Sequence, residues 1–213
     1  MGSFTTKRPR IRRRPGGAAE RPASPDAERV FALGLPDVRA LEAEIRTVLE
    51  KCDEKLGFVP NVLRAFTLRP RKFPLFRAYS NELMLGESGL SKLEREMIAL
   101  AVSSINHCRY CLAAHGAAVR ELSGNPRLGE EIAHNYRAAA LSPRQRAMLD
   151  FVSKLTESAD KMVDEDRAAL RKAGFTDADI FDICETTGFY NMTNRLASGT
   201  ELRPNPEYDR MAR

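Results

Sequence analysis

The segment "EREMIALAVSSINHCRYCLAAHGAAVRELSGN", residues 94–125, carries the strongest fold signal in this chain. Its apolar residues recur every three or four positions, which is the spacing of one face of an α-helix. Ser91 with Glu94 three residues later is typical of a capping box, so a helix is predicted from Ser91 to about Ile105. The turn "NHC" interrupts the pattern, which resumes over 109–122 and stops at "SGNP". Two consecutive helices are therefore predicted, joined by a turn that ends at Cys108.

The same periodicity continues through the rest of the chain. Asp164 and Thr176 are predicted N-caps, and Gly174 is predicted to close the helix that Asp164 begins. No segment alternates with a period of two, so the sequence predicts an all-α fold. The further predicted helices cover residues 38–56, a short stretch before Pro70, 73–85, 127–137, 143–158, 164–173 and 177–197.

The basic charge of the chain is concentrated at its N-terminus. The formal net charge is +5, yet residues 1–22 alone carry seven Lys and Arg residues and one acidic residue. This stretch is poor in apolar residues and rich in Pro and Gly, so residues 1–25 are predicted to be a disordered basic tail and residues 26–213 the folded domain. A solvated tail is the simplest interpretation; a nucleic-acid contact or a nuclear import signal is the alternative.

Targeting signals and cysteine usage favour a cytoplasmic protein. No apolar run is long enough for a membrane span, and no apolar stretch follows the basic N-terminus as in a secretory signal. Four cysteines in such a chain suggest a reducing compartment, where a Cys-x-x-Cys pair is more often catalytic or metal-binding than a permanent disulfide. Cys52 and Cys184 lie in largely apolar helical contexts, so both are expected to be buried structural thiols.

The cysteine pair is predicted to lie at the start of a helix. Cys108 and Cys111 are then one turn apart, and His115 follows one turn later on the same face. The first turn of a helix presents unpaired N–H groups and the positive end of the helix dipole, which favour the thiolate form of both cysteines. A thiolate is the form that attacks a peroxide or a disulfide.

Glu96 is a candidate acid–base partner on the preceding helix. Its neighbours Met97 and Ile98 are apolar, while Glu94 and Arg95 are expected at solvent positions. A carboxyl group on an apolar face, opposite a helix that carries two thiols and a histidine, is suited to accept and donate protons near neutral pH.

Zinc is the main competing interpretation of these residues. His107, Cys108, Cys111 and His115 are all possible zinc ligands, but the chain has no second Cys-x-x-Cys or His-x-His half-site. Phosphate-binding loops, nucleophile elbows and flavin or nicotinamide fingerprints are also absent from the sequence, so no cofactor is expected. Two classes remain open: a dithiol enzyme, or a non-enzymatic helical module that is zinc-stabilised or redox-sensing.

The motif Glu96, Cys108-x-x-Cys111-x-x-x-His115 resembles the AhpD-like branch of the carboxymuconolactone decarboxylase superfamily. The stretches "LGFVPNVLRAFTLRP", "LSPRQRAMLDFVSKLT" and "NRLASGTELRPNPEY" are similar to the peroxidase-related subgroup of that branch. The resemblance extends over roughly residues 33–208, nearly everything except the tail.

The resemblance implies an all-helical fold that assembles into trimers or hexamers, and thiol-dependent reduction of alkyl hydroperoxides or hydrogen peroxide. It implies that Cys111 attacks the peroxide and that Cys108 resolves the sulfenic acid into a disulfide. Glu96 and His115 would relay protons. An external dithiol would reduce the disulfide, and in the best-known relatives this reductant is a lipoylated protein.

One position departs from the family pattern. Alkylhydroperoxidase D carries a histidine just before the second cysteine, where this chain has Tyr110. A phenol can donate a hydrogen bond but cannot shuttle protons as imidazole does. His107 is the nearest possible substitute, so Tyr110 and His107 are expected to be supporting residues. The lactone decarboxylases of the superfamily lack the cysteine pair, so the pair favours redox chemistry.

Overall fold

The computed structural model describes residues 29–213, and the predicted tail, residues 1–25, lies outside that part of the chain. Across the described part there are nine α-helices and no β-strand, which confirms the predicted all-α fold. The helices are α1 Ala43–Leu56, α2 Asn61–Phe66, α3 Phe73–Leu85, α4 Lys92–Ile105, α5 Arg109–Ser123, α6 Leu128–Asn135, α7 Pro143–Glu157, α8 Asp164–Lys172 and α9 Asp177–Gly199. Short 3₁₀ turns lie at Val38–Ala40, Tyr136–Ala138, Ala159–Lys161 and Pro206–Asp209.

Helix α4 is the centre of the fold. It packs against α5, α6, α7 and α9, and its side chains Met97, Ile98 and Leu100 are fully buried. A helix that is surrounded on most sides needs apolar residues on most sides, which explains the nearly continuous apolar run in "MIALAV". Because α5 follows α4 after a short turn and packs along it, residues in the middle of α4 face the first two turns of α5.

The predicted capping box at the start of α4 is confirmed. The backbone N–H of Glu94 donates to Ser91 Oγ at 3.1 Å, and the N–H of Ser91 donates to Glu94 Oε2 at 2.8 Å. Thr176 and Asp179 form the same reciprocal pair at the start of α9. These bonds satisfy N–H groups that a helix start otherwise leaves unpaired, so both helices begin where the sequence indicates.

Two predicted boundaries are wrong. Asp164 is the first residue of α8 and Val163 is its N-cap, because Asp166 accepts the hydrogen bond from the Val163 N–H at 2.8 Å. The predicted helix over 38–56 is divided: Leu41 is extended and α1 begins only at Ala43. The extended backbone allows the Leu41 side chain to be buried in a small cluster with residues of α1 and α3.

Glu94 and Arg95 were expected at solvent positions, and that expectation is wrong because both side chains are buried. Glu94 Oε1 accepts a hydrogen bond from Arg144 Nε of α7 at 3.0 Å. Arg95 Nη1 donates to the carbonyls of Leu83 and Gly86 at the end of α3, at 3.2 and 3.0 Å. Both residues can be buried since each charge has a hydrogen-bond partner, and together they tie α4 to its neighbours.

Cys52 and Cys184 are half-buried rather than fully buried as predicted. Burial nevertheless raises the pKa of both thiols above the ordinary value. Neither is therefore a good nucleophile near neutral pH, which agrees with a structural role.

Candidate active site

The turn between α4 and α5 positions Cys108 and Cys111 at the start of α5. His107 adopts a left-handed backbone with φ of 52°, and the N–H of Cys108 then donates to the carbonyl of Ser103 at 2.9 Å. Cys108 is the N-cap of α5 and Cys111 lies in its first turn. Both thiols are free and buried, with 1% and 4% of the residue exposed.

His115 and Glu96 form a direct pair across the α4–α5 interface. His115 Nδ1 lies 2.6 Å from Glu96 Oε2, and the two side chains are only 16% and 18% exposed. The imidazole also packs against the Tyr190 ring of α9 in a T-shaped arrangement, with 4.6 Å between ring centroids. Because the carboxylate occupies Nδ1 and the tyrosine fixes the ring, Nε2 is the nitrogen that remains for proton exchange with a substrate.

One large cavity borders this group of residues. It has a volume of about 520 Å³, and its wall includes Cys111, His115, Glu96, Tyr110 and Tyr190. The rest of the wall is mostly apolar and comes from α2, α3, α9 and the segments that flank them. Cys108 does not belong to the wall. A molecule in the cavity can therefore contact Cys111 but not Cys108.

The two thiols do not ionise alike. The pKa of Cys108 is lowered to about 6, first because its sulfur accepts a hydrogen bond from the Cys111 thiol. Burial opposes this effect, whereas the backbone N–H of Cys111, the hydroxyl of Ser198 and the charge of His115 add to it. The Cys108 side chain makes no regular capping hydrogen bond at the start of α5. The Cys111 N–H therefore stabilises the Cys108 thiolate from farther away than a regular hydrogen bond.

The pKa of Cys111 is raised, because its thiol donates to Cys108 and because burial and the Cys108 charge disfavour a second anion. The expectation that both cysteines have lowered pKa values is therefore wrong for Cys111. Two sulfurs in contact cannot both be anionic at low cost, so the pair holds one negative charge and one shared proton.

Two buried polar residues near Cys111 were not predicted. Asn194 Nδ2 of α9 donates to Ser103 Oγ of α4 at 3.1 Å, and both side chains are almost fully buried. Asn194 and Ser103 each lower the pKa of Cys111 by hydrogen bonding to its sulfur, although the other effects on this thiol are larger. Asn106 Nδ2 donates in turn to Asn194 Oδ1 at 3.0 Å. The sequence signal was present as polar residues within apolar helical segments, in "SSIN" and "NMTN", but only the packing brings these segments together.

Tyr110 and His107, the two predicted supporting residues, lie in different surroundings. The Tyr110 hydroxyl accepts a hydrogen bond from the N–H of Val62 at 3.2 Å, which fixes the start of α2 against the site. Burial raises the Tyr110 pKa well above its ordinary value, so the phenol stays neutral. His107 is exposed and borders a second cavity near His134, away from the wall that contains Cys111. The structure does not bring His107 together with the thiols in one cavity.

The zinc alternative needs several ligands around one point. Within residues 29–213, no group of three or more His, Cys, Asp or Glu side chains is arranged to hold a metal ion.

In the same part of the chain, none of the helices is both long and apolar enough to cross a bilayer.

The fold and the site define a helical dithiol protein in which a cysteine pair at a helix start meets a histidine–carboxylate pair at an apolar cavity. Residues 70–154 match the carboxymuconolactone decarboxylase family. Two solved structures match 86% and 88% of the chain at 55% and 42% identity. The protein belongs to the carboxymuconolactone decarboxylase family, in its AhpD-like branch.

An uncharacterized peroxidase-related protein from Silicibacter sp. TM1040 is 55% identical, with a TM-score of 0.83 over 86% of this chain and 96% of that one. An uncharacterized peroxidase-related protein from Ralstonia eutropha JMP134, described as an alkylhydroperoxidase AhpD core, is 42% identical, with a TM-score of 0.85 over 88% and 98%. The debrominase Bmp8 shares the fold at 16% identity, with a TM-score of 0.69 over 86% and 95%. No curated protein matches the chain.

Proposed function

We propose that this protein is a thiol-dependent peroxidase that reduces hydroperoxides through a Cys108–Cys111 dithiol–disulfide cycle. The observation that carries the proposal is the His115–Glu96 pair, 2.6 Å apart, which shares the cavity wall with the buried thiol of Cys111. Cleaving a peroxide requires a sulfur nucleophile and an acid for the departing oxygen, and this wall contains both. The peroxidase-related names of the solved structures from Silicibacter sp. TM1040 and Ralstonia eutropha JMP134 support the same class of activity.

The reaction begins from the singly charged cysteine pair. The Cys111 thiol transfers its proton along the existing hydrogen bond to Cys108, and the Cys111 thiolate attacks the terminal oxygen of the hydroperoxide. The O–O bond breaks, and His115, held by Glu96, protonates the departing alkoxide. The products are an alcohol and a sulfenic acid on Cys111.

The second half of the cycle uses Cys108. Its sulfur attacks the sulfenic sulfur of Cys111, the S–O bond breaks, and the hydroxyl leaves as water with the proton that Cys108 had received. Two thiols and one hydroperoxide thus yield one disulfide, one alcohol and one water. An external dithiol must then reduce the disulfide; a lipoylated protein is one candidate. A reducing cytoplasmic location suits this cycle, since it keeps the pair reduced between turnovers.

Hydroperoxide consumption with a small-molecule dithiol as electron donor tests the proposal. The wild-type protein is expected to consume hydroperoxide repeatedly and, without the dithiol, to lose two thiols per chain in one turnover. Cys184→Ser is the matched control, because this half-buried thiol lies outside the cavity wall. A chain that keeps all of its thiols after excess hydroperoxide, with or without bound zinc, would contradict the proposal and favour a non-enzymatic module.

The proposal predicts a specific pH dependence. Below about pH 6 both thiols are protonated, and above it the pair carries one thiolate, because the pKa of Cys108 is lowered to about 6. Thiolate absorbance near 240 nm should therefore rise by one thiolate per chain as the pH increases through 6. The rate of the first reaction with hydroperoxide should rise with it and then level off. A thiolate that forms only above pH 8 would contradict the shared-proton arrangement.

We also propose that the protein forms a homo-oligomer, a trimer or a hexamer. Large apolar side chains are exposed on α3 and α9, among them Leu75, Leu85 and Phe181. Self-association would bury such side chains, which are costly to leave in water. Light scattering at micromolar concentration should give a mass of three or six chains. A mass near the 23.8 kDa of a single chain would contradict the prediction.

A further inference from the structure

The cavity has a direction, because its two ends differ in exposure. The mouth is formed by the exposed residues of the wall, and these are Leu33, Leu68, Arg69, Asn81, Leu85 and Leu196, of which only Arg69 is charged. Cys111 belongs to the same wall and is buried, so it marks the inner end. A ligand that extends from the thiol to the mouth can therefore leave a polar end group beside Arg69.

The wall between these two ends is apolar. Its side chains include Leu63, Phe66, Phe76, Met84 and Phe189. The volume of about 520 Å³ lies within the range of roughly 300–1,000 Å³ that is common for small-molecule sites. Hydrogen peroxide would fill only a small part of this space and would gain nothing from the apolar wall. The cavity fits a much larger, mostly hydrocarbon ligand.

Among the residues that the structure describes, Arg69 is the one guanidinium or ammonium group in the wall of this cavity. Its side chain makes no hydrogen bond or ion pair with any other residue in 29–213. The other charged groups of the wall, Glu96 and His115, are paired with each other at the inner end. The mouth therefore presents an unpaired cation, whose planar fork is well suited to bind a carboxylate.

We propose that the substrate is the hydroperoxide of a long-chain fatty acid, with its carboxylate bound to Arg69 at the mouth and its chain along the apolar wall. This inference rests on the proposed peroxidase function and specifies its substrate class. The hydroperoxide group within the chain then reaches Cys111. The two thiols are oxidised to a disulfide, and the substrate is reduced to the hydroxy fatty acid with release of water.

The carboxylate contact is tested by comparing an acid with its ester. Linoleic acid hydroperoxide and its methyl ester have the same apolar chain, but only the acid carries a charge. Arg69→Gln should lower kcat/KM for the acid by about fivefold, since ion pairs at exposed positions are modest, and should leave the ester unchanged. Arg71→Gln, an exposed arginine two residues away and outside the wall, should change neither. Added salt should weaken the preference for the acid.

A binding measurement separates the ligand class from the chemistry. Cys111→Ser protein can be loaded with a fluorescent apolar probe, and the probe displaced with oleate or methyl oleate. Oleate is expected to compete about fivefold better than the ester, and Arg69→Gln should remove that difference.

These experiments distinguish a failure of the substrate inference from a failure of the proposed peroxidase function. Equal handling of acid and ester by a protein that does reduce hydroperoxides would overturn the inference and leave the proposed function intact. Arg69-dependent oleate binding by a protein whose thiols resist every hydroperoxide would support the ligand class and overturn the peroxidase function.

Discussion

Cys111→Ser is expected to abolish the reaction of this protein with hydroperoxide, including the first, stoichiometric turnover. Cys111 is the only cysteine of the described chain in the wall of the large cavity. Cys108 is the more acidic thiol, but it is 1% exposed and does not line the cavity. A lowered pKa supplies a thiolate without giving it access to the substrate, and the histidine that can protonate the leaving oxygen lines the same cavity as Cys111.

Loss of protein thiols after mixing with one equivalent of cumene hydroperoxide measures this effect. Cys184→Ser should react at the wild-type rate, which controls for the removal of a thiol elsewhere on the chain. If Cys111→Ser still forms a sulfenic acid at the wild-type rate, the attacking residue is Cys108, and access through the cavity is not what selects the nucleophile.

Glu96→Gln is expected to slow the first reaction by about 10²–10⁴-fold, the usual effect of removing a general acid–base group. The carboxylate lies 2.6 Å from His115 Nδ1, where it can stabilise an imidazolium and orient the ring. An amide keeps the shape but carries no charge, so the histidine becomes a weaker proton donor for the departing alkoxide. Stopped-flow mixing with hydroperoxide resolves this step from the later reduction of the disulfide.

Glu121→Gln is the matched control for that experiment, because Glu121 is an exposed carboxylate on α5. It should react like the wild type. A Glu96→Gln protein that melts at the wild-type temperature and still reacts at the wild-type rate would show that the histidine–carboxylate pair has no part in the chemistry.

Local sequence signals predict most of the helices and the convergence of the site residues. Cys108, Cys111 and His115 are separated by three and four positions, so any helix places them on one face. Glu96 could be assigned to the facing helix, since the short turn between α4 and α5 brings the middle of one helix against the start of the other. These relations depend on spacing within one stretch of about thirty residues.

The distribution of the shared proton could not be predicted from that stretch. Helix position alone favours a thiolate on both cysteines. The observed asymmetry arises because the Cys111 thiol donates to Cys108, and because Ser198, far along the chain in α9, also favours the Cys108 anion. Contacts of this kind depend on how α9 packs, which no local pattern indicates.

The cavity and the buried charges escaped prediction for a similar reason. Arg69 is one basic residue among several near Pro70, and only the packing of α2 and α3 places it at the mouth. Glu94 and Arg95 were assigned to solvent because charged residues usually lie there. Partners from α7 and from the end of α3 allow them to be buried.

The most direct test of the proposed chemistry is to trap the oxidised sulfur in Cys108→Ser. This variant keeps the thiol that lines the cavity and lacks the one that would resolve it, so a sulfenic acid should accumulate after one equivalent of hydroperoxide. Dimedone labelling followed by peptide mass spectrometry is predicted to place one label on Cys111. An absence of label on Cys111 in Cys108→Ser, together with a label on Cys108 in Cys111→Ser, would contradict it.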